Sequence, residues 1–346
     1  MSQDRSNGEG MKMMTFKFLR KTDDATEVRS FVPLLGWLAV LALAGCAMSG
    51  NAGDPAAPRP FLQRWMDLTG ARTGTPLSGS PGAGYTTLRR PTAVSARDNE
   101  VYLADAGLNR IFRYSRDQQT LTPFTNLAAG AGTRIYAAPD RSVYVTDPAR
   151  AEVQHYAWDG TQLPSFVSPG NLARPVSVAV DERTGQILVA DGLLDQFIAF
   201  NSMGMTLSVI KPREQLAIAA MTTGPDGIYV TDRIGRRVVV LGWDGAFRYA
   251  LGGKDLGNPG AIAVSRDNSV FVSDNFDQTI KCYRGQKTED RGQKTEYKES
   301  MLVARVGGVG AGPGSFNGIS GLAVDGSLLY VTDSLNARVH IMHINR

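Results

Sequence analysis

The stretch LYVTDSLNARV at residues 329–339 contains a five-residue pattern, LYVTD, that recurs throughout the chain. The other copies are VYLAD, VYVTD, ILVAD, IYVTD and VFVSD, and they end at Asp105, Asp147, Asp191, Asp232 and Asp274. Successive aspartates lie 41 to 44 residues apart, except for a last step of 59 residues to Asp333. A nearly constant period of this length is typical of repeat architectures, so we interpret the chain as copies of one unit.

Each repeat has the pattern of four short antiparallel strands. The five-residue run, a short polar turn and a second β-rich run predict a hairpin. An apolar run such as PTAVSA or PVSVAV precedes the hairpin, and a weaker run follows it, introduced by the turn WDG at residues 158–160 and 243–245. Four strands in about 42 residues is the size of one β-propeller blade. Six blades in a ring would leave only short, protected edges, so we predict an all-β, six-bladed β-propeller over residues 61–346.

Two irregularities of the repeat have specific interpretations. The sixth repeat shows no fourth run before Arg346, whereas FLQRWMDL at residues 61–68 stands ahead of the first repeat. We predict that this N-terminal segment supplies the missing outer strand and closes the ring. The 59-residue step contains RGQKTE twice, within residues 283–300. We predict an insertion between the third and fourth strands of repeat five, which either extends the strands, forms a flexible loop or docks a partner.

The amino terminus has the pattern of an export signal. Residues 31–46 read FVPLLGWLAVLALAGC, and basic residues precede them, among others at 12, 17, 20, 21 and 29. The apolar run is shorter than the roughly 20 residues that span a bilayer, and such a run behind basic residues is typical of a secretory signal. We therefore expect a signal peptide over residues 1–45 and, because residues 46–60 are small and Pro-rich, a flexible linker after it.

The ending LAGC resembles a bacterial lipobox, in which the cysteine is lipidated. The resemblance implies that Cys46 carries the lipid; the alternative is an ordinary signal peptide with an incidental cysteine. Ala47 follows the cysteine, and the absence of an aspartate there resembles lipoproteins of the outer membrane. We expect a protein anchored in the cell envelope, at the outer membrane.

The glycines and the hairpin of residues 308–342, read as G-x-G-x-G, GLAVD and LYVTDSLNARVHIM, resemble the NHL repeat. The resemblance is strongest in repeats four to six. Glu152 and Gln196 stand where Arg110, Arg237 and Arg338 occur in other repeats. The resemblance implies a six-bladed propeller but no single function, because NHL propellers bind proteins, bind RNA or act as enzymes.

The six repeat aspartates have a structural and a chemical interpretation. A carboxylate at a strand end, followed by a polar turn, accepts hydrogen bonds from the backbone N–H groups of that turn. The arginine five residues later in three of the repeats can pair with it. We therefore favour a structural role over a metal-binding or catalytic one for these residues: Asp105, Asp147, Asp191, Asp232, Asp274 and Asp333.

The sequence offers little for catalysis. The only histidines are His155, His340 and His343, and the last two point to opposite faces of one strand. No HExxH or GxSxG motif is present, and GGVGAGPGSFNG at 307–318 is interpreted as a crossing between blades because it lacks the Lys-Ser/Thr of a phosphate loop.

The resemblance implies that lyases and lactonases of related propellers hold a divalent ion in the central channel. The inner runs offer mainly Asp181, Glu182 and Asp325 for such a site. We predict no catalytic residue, no metal ligand and no cofactor, and keep a metal-dependent lyase or hydrolase as the alternative. Cys282, in a strand pattern, is predicted to be a buried thiol.

The face that carries the turns after the aspartates is the predicted binding surface. Its candidate residues are all arginines: Arg110, Arg150, Arg233, Arg236, Arg237 and Arg338. The densest group, DRIGRR at residues 232–237, either recognises an acidic protein or an anionic glycan or is a solvated turn. The net charge of +4 and the expected export disfavour nucleic acid. We expect an exported, lipid-anchored, monomeric propeller that binds an envelope protein or glycan as a scaffold.

Overall fold

The computed structural model describes residues 60–73, 84–130, 132–286 and 298–345. Within these ranges the chain forms strands β1 to β26 and one 3₁₀ turn at Ser334–Asn336, and no α-helix. The predicted signal peptide, Cys46 and the linker up to residue 59 lie outside the described residues. In the part that is described, no helix has the length and hydropathy needed to span a bilayer.

Three strands precede the first complete blade. They are β1 (Leu62–Leu68), β2 (Gly70–Arg72) and β3 (Tyr85–Thr87). Blade 1 follows with β4 (Pro91–Arg97), β5 (Glu100–Asp105), β6 (Arg110–Ser115) and β7 (Thr120–Thr125). Blade 2 contains β8 (Ile135–Ala137), β9 (Val143–Asp147), β10 (Glu152–Tyr156) and β11 (Gln162–Phe166). Blade 3 contains β12 (Pro175–Asp181), β13 (Gln186–Asp191), β14 (Gln196–Phe200) and β15 (Thr206–Ile210).

The second half of the ring repeats this arrangement. Blade 4 contains β16 (Ile218–Gly224), β17 (Gly227–Asp232), β18 (Arg237–Leu241) and β19 (Phe247–Leu251). Blade 5 contains β20 (Pro259–Val264), β21 (Ser269–Asp274), β22 (Thr279–Gln286) and β23 (Lys298–Gly307). Blade 6 contains β24 (Ile319–Asp325), β25 (Leu328–Asp333) and β26 (Arg338–Ile344). The first strand of each blade is innermost and contacts the first strands of both neighbouring blades, so the six sheets form the predicted six-bladed propeller.

The ring is closed as the sequence predicts. Strand β1 pairs with β26 in antiparallel register, from Leu62 opposite Ile344 to Leu68 opposite Val339. Blade 6 therefore has the order β1-β26-β25-β24 and combines both ends of the described chain.

The segment between β1 and blade 1 contains two short strands. Strands β2 and β3 pair with each other, and β2 continues the sheet of blade 1 beyond β7 through the pair Arg72 and Thr120. At this pair, β2 lies against the outer edge of β7. Three-residue strands are too short to produce a periodic pattern, which is why the sequence did not reveal them. Residues 74–83 lie outside the described residues.

The insertion lies where the sequence places it. Strands β22 and β23 flank it, and their pairing extends as far as Gln286 opposite Lys298. The RGQKTE copies themselves fall largely within residues 287–297, which lie outside the described residues.

The core lies between adjacent blades. The aromatic residue of the repeated pattern is fully buried in blades 2, 4, 5 and 6, as Tyr144, Tyr229, Phe271 and Tyr330. Cys282 is fully buried in the layer between blades 5 and 6, as predicted. Burial raises the pKa of its thiol to about 12, so the thiol stays protonated and unreactive at neutral pH.

Candidate functional site

The six turns after the repeat aspartates share one backbone conformation. In each turn the residue four positions after the aspartate adopts a left-handed conformation, with φ between 47° and 55°. These residues are Asn109, Ala151, Asp195, Arg236, Gln278 and Ala337. Side chains at the same position of the six turns therefore point in similar directions relative to their blades. We call the face of the ring that carries them the aspartate-turn face.

The aspartates fasten these turns to the crossings that arrive from the preceding blade. Asp191 accepts hydrogen bonds from the N–H groups of Leu193 and Leu194 in its own turn, and from those of Ala173 and Arg174 in the crossing. Burial alone would raise the pKa of Asp191, but these four backbone hydrogen bonds outweigh it and lower the pKa. Asp105 makes the same four-bond arrangement in blade 1.

The other four aspartates use the same position with different partners. Asp147 accepts only from N–H groups of its own turn, at Ala149 and Arg150. Asp232 accepts from two backbone N–H groups and from the guanidinium of Arg237. Asp274 accepts from three backbone N–H groups and from the buried Lys281.

Asp333, in blade 6, has mostly side-chain partners. It accepts from the N–H of Asn317 and from the side chains of Asn336 and Arg338, and lies 3.2 Å from His340 Nε2. The oxygen atoms of the repeat aspartates thus accept hydrogen bonds that order the turns. This leaves few lone pairs free to bind a metal or substrate.

The six candidate arginines lie on the aspartate-turn face but differ in their surroundings. Arg237 pairs with Asp232 and Glu214, and Arg338 pairs with Asp333 and Asp67. Arg150 lies within 3.9 Å of Asp147 and Glu152. The remaining three are exposed: Arg110 is the first residue of β6, and Arg233 and Arg236 lie in the turn of blade 4. Only Arg233, Arg236 and Arg237 share one turn, and their role in binding stays a prediction.

The same turns present apolar side chains that sequence reasoning missed. Two residues after the aspartate, blades 3 to 6 carry exposed large apolar residues, whereas blades 1 and 2 carry Gly107 and Ala149. We call these four residues the apolar crescent: Leu193, Ile234, Phe276 and Leu335. An alignment of the repeats on the aspartate contains this signal, but only the structure places the four side chains on one exposed face.

The central channel is a cavity of about 940 Å³ lined by the inner strands. Its mouth on the opposite face holds Asp181, Glu182 and Asp325, the three channel carboxylates considered from the sequence. Glu182 lies 3.1 Å from Arg97, Asp181 lies 3.2 Å from Arg183, and Asp325 lies 4.0 Å from Arg116. Each carboxylate has its own arginine.

The described residues do not fit a metal site of the kind considered for the channel. They include no group of three or more His, Cys, Asp or Glu side chains that could hold a metal ion. The histidines lie apart: His155 stacks on Tyr144, His343 lies against Trp65, and His340 is buried between two carboxylates.

Comparison with known proteins supports the fold and nothing finer. No protein-family model and no curated protein sequence matches the chain. A solved protein of unknown function from Bacteroides thetaiotaomicron matches with a TM-score of 0.60 and 13% identity, covering 82% of this chain and 76% of that one. Virginiamycin B lyase from Staphylococcus aureus matches with a TM-score of 0.53 and 12% identity, covering 74% of this chain and 95% of that one.

A third structure, hydrazine synthase from Kuenenia stuttgartiensis, has a TM-score of 0.54 and 14% identity, covering 76% of this chain and 86% of that one. Proteins with such different activities share this architecture, and identities this low carry the fold alone. The chain is a six-bladed β-propeller.

Proposed function

We propose that this protein is an exported, lipid-anchored propeller of NHL type that acts as a binding scaffold in the cell envelope. Its binding surface is the aspartate-turn face. The observation that carries the proposal is the clamping of the turns, as by Asp105 and Asp191, to the crossings between blades. A surface that is already ordered loses little conformational entropy on binding, which favours recognition of a partner.

The position at which the described chain begins supports an orientation for the anchored protein. Asn345, just after β26, donates hydrogen bonds to the carbonyl groups of Pro60 and Phe61. Strand β26 begins at an aspartate turn and ends on the opposite face, so Pro60 lies at that opposite face. Residues 47–59 can span at most about 45 Å from a lipid on Cys46. This arrangement favours an aspartate-turn face that is directed away from the membrane.

The charges around blade 4 indicate the chemistry of the partner. Four basic residues on the aspartate-turn face are exposed there: Lys211, Arg213, Arg233 and Arg236. The exposed acidic residues on the neighbouring turns and crossings are fewer, Asp195 and Asp255. An acidic partner is therefore favoured, and its association should weaken as salt screens these exposed charges.

The anchor is tested by metabolic labelling with a radioactive fatty acid in a bacterial host. We expect the wild-type protein to take up label and to fractionate with membranes, and Cys46→Ala to do neither. Label that persists in the Cys46→Ala variant, or its absence from the wild type, would overturn the lipid anchor.

The binding surface is tested by cross-linking in intact envelopes. We expect Arg233→Glu combined with Arg236→Glu to abolish the cross-linked product that forms at low salt. The matched control reverses two exposed arginines of the opposite face, Arg141→Glu and Arg266→Glu, and should leave the product unchanged. Equal yields from both double variants would show that this face does not bind the partner.

The alternative function is a metal-dependent lyase or hydrolase that acts in the channel. The cavity of about 940 Å³ is the observation in its favour, and the pairing of the channel carboxylates with arginines counts against it. Elemental mass spectrometry of the dialysed protein tests it, since one tightly held divalent ion per chain would favour the enzyme.

A further inference from the structure

We propose that the apolar crescent and the basic residues of blade 4 together form a docking surface for a segment of a partner protein that carries apolar side chains next to carboxylates. The inference deepens the proposed function and rests on it. It names what the aspartate-turn face recognises, and it adds a contact surface that the arginines alone do not supply.

All four side chains of the apolar crescent are largely exposed to solvent. The exposed fractions of its four side chains are 61% for Leu193, 83% for Ile234, 79% for Phe276 and 61% for Leu335. Four large apolar side chains at one repeat position on the same face differ from the single, scattered exposed residues that are normal on a protein surface. Val309, in the crossing between blades 5 and 6, adds a further exposed apolar side chain to the same face.

The turns that carry Phe276 and Leu335 lie directly on the crossings before their blades. A Cβ atom at Gly257 would lie 2.8 Å from Cβ of Phe276, so this glycine allows Phe276 to lie directly on the crossing before its blade. Gly318 lies in the same way beneath Leu335, whose Cγ would be 3.3 Å from an added Cβ. The turns themselves are fastened by Asp274 and Asp333. The backbone of these two turns is therefore ordered before docking, which lowers the entropy lost on binding.

The apolar and basic side chains together indicate which kind of ligand binds to the aspartate-turn face. Apolar tips beside basic residues suit either a protein or a bilayer with anionic lipids. A protein is the occupant proposed here, because a tether from Cys46 would join the ring at the opposite face, where Pro60 lies. Lipid is an outcome of the test. An anionic glycan would use Arg233 and Arg236 but would gain little from Ile234 and Phe276. A protein segment with apolar and acidic side chains uses both features.

The test places a photoreactive phenylalanine analogue in the full-length, membrane-anchored protein in cells. Position 276 and position 335 report on the crescent, and position 158, an exposed tryptophan in a turn of the opposite face, serves as control. We expect adducts with one protein from positions 276 and 335 but not from 158. Mapping of the adducts by mass spectrometry should locate both on a segment that contains apolar residues and carboxylates.

A matched pair of variants tests the contribution of the apolar side chains. With a single photoreactive residue at position 309, the crescent variant carries Leu193→Ser, Ile234→Ser, Phe276→Ser and Leu335→Ser. The control variant carries four serines at exposed apolar positions elsewhere: Met203→Ser, Met205→Ser, Leu207→Ser and Phe247→Ser. We expect about a tenfold fall in adduct yield for the first variant and none for the second. Thermal unfolding of both verifies that they fold.

The outcomes separate this inference from the proposed function. If Arg233→Glu with Arg236→Glu abolishes the adduct while the crescent variant keeps it, the face binds a partner but the crescent does not. If neither set changes any adduct, the proposed binding face is wrong as well. Adducts with lipid, or with a second copy of this chain, would each overturn the assignment of a partner protein.

Discussion

Blades 3 and 6 carry the same hairpin but hold it by different means. Blade 3 is one continuous run of chain, and its Asp191 is bound by four backbone N–H groups. Seven residues after this aspartate stands Ile198, which is fully buried. Blade 6 takes its outer strand from the other end of the described chain, and seven residues after its aspartate stands a buried histidine, His340.

In blade 6 several polar side chains contact Asp67 on β1, the strand that the N-terminal segment contributes. Asp67 on β1 lies 2.7 Å from His340 Nδ1, 3.6 Å from Arg338 and 2.7 Å from Arg64. Burial alone would raise the pKa of Asp67, but the hydrogen bond from Arg64 and the charges of His340 and Arg338 lower it. In some proteins buried polar or ionic groups specify register. We infer that they do so here, where no short turn connects β1 to β26.

The largest expected effect is the loss of the closing strand itself. Deleting residues 60–68 exposes the buried edge of β26, including Val339 and Ile341, and leaves blade 6 without its outer strand. We expect the cooperative thermal transition to disappear, because such a loss is comparable with the whole stability of a domain, about 5–15 kcal/mol. The control deletes residues 47–59, which should leave the melting temperature unchanged. A propeller that melts normally without residues 60–68 would contradict the closure.

The next effect tests the ionic junction with a single side chain. Asp67→Ala leaves the buried His340 and the half-buried Arg338 with Asp333 as their remaining carboxylate partner. Losing hydrogen bonds to charged groups in this way costs about 2 kcal/mol. Denaturant unfolding measures the difference. Asp117→Ala, at an exposed turn residue of blade 1, should cause no measurable change. Equal stabilities for the two variants would mean that the junction does not hold β1.

Stability at acid pH tests the ionic contacts of β1 in blade 6. In blade 6 the pKa values of Asp67 and Asp333 lie below the ordinary value of 3.8 in the folded protein. Carboxylates with a lowered folded pKa contribute stability above their unfolded pKa, and this contribution is lost as the pH falls through the folded value. We expect Asp67→Asn to be less stable than the wild type at pH 6 and the gap to narrow below about pH 4. A gap that is constant between pH 6 and 3 would contradict this account.

The smallest effect is expected at the apolar counterpart in blade 3. Ile198→Val removes one buried methylene and should cost about 1 kcal/mol. The loss should be independent of pH and salt, since no ionisable group is involved. If the stability lost by Ile198→Val depended on pH, this position would not differ from the ionic contacts of blade 6.

Several features of the fold could be predicted because their signals are local. Two β-rich runs on either side of the polar turn after Asp333 predict a hairpin, and the tandem RGQKTE copies mark an insertion within one blade. The closing strand could be inferred because one repeat lacked a strand and residues 61–68 had no partner of their own. The strands β2 and β3 could not be inferred, since each has only three residues.

The candidate site was predicted less completely. The sequence placed the arginines on the correct turns, but not the ion pairs that engage Arg237 and Arg338. It also contained Leu193, Ile234, Phe276 and Leu335 at one repeat position without indicating that they are exposed. Exposure depends on how each turn lies on the crossing before it, which is a contact between segments distant in sequence.

By itself, the sequence of this protein determined the repeat, the number of blades and the strand that closes the ring. These follow from the period of the pattern and from the hydrogen bonds that every strand must satisfy. Only the tertiary structure decided that Asp67 meets His340, that the channel carboxylates are each paired with an arginine, and that four apolar side chains share one face. Those features require ring closure, which brings together residues that are far apart in the chain and leaves others in solvent.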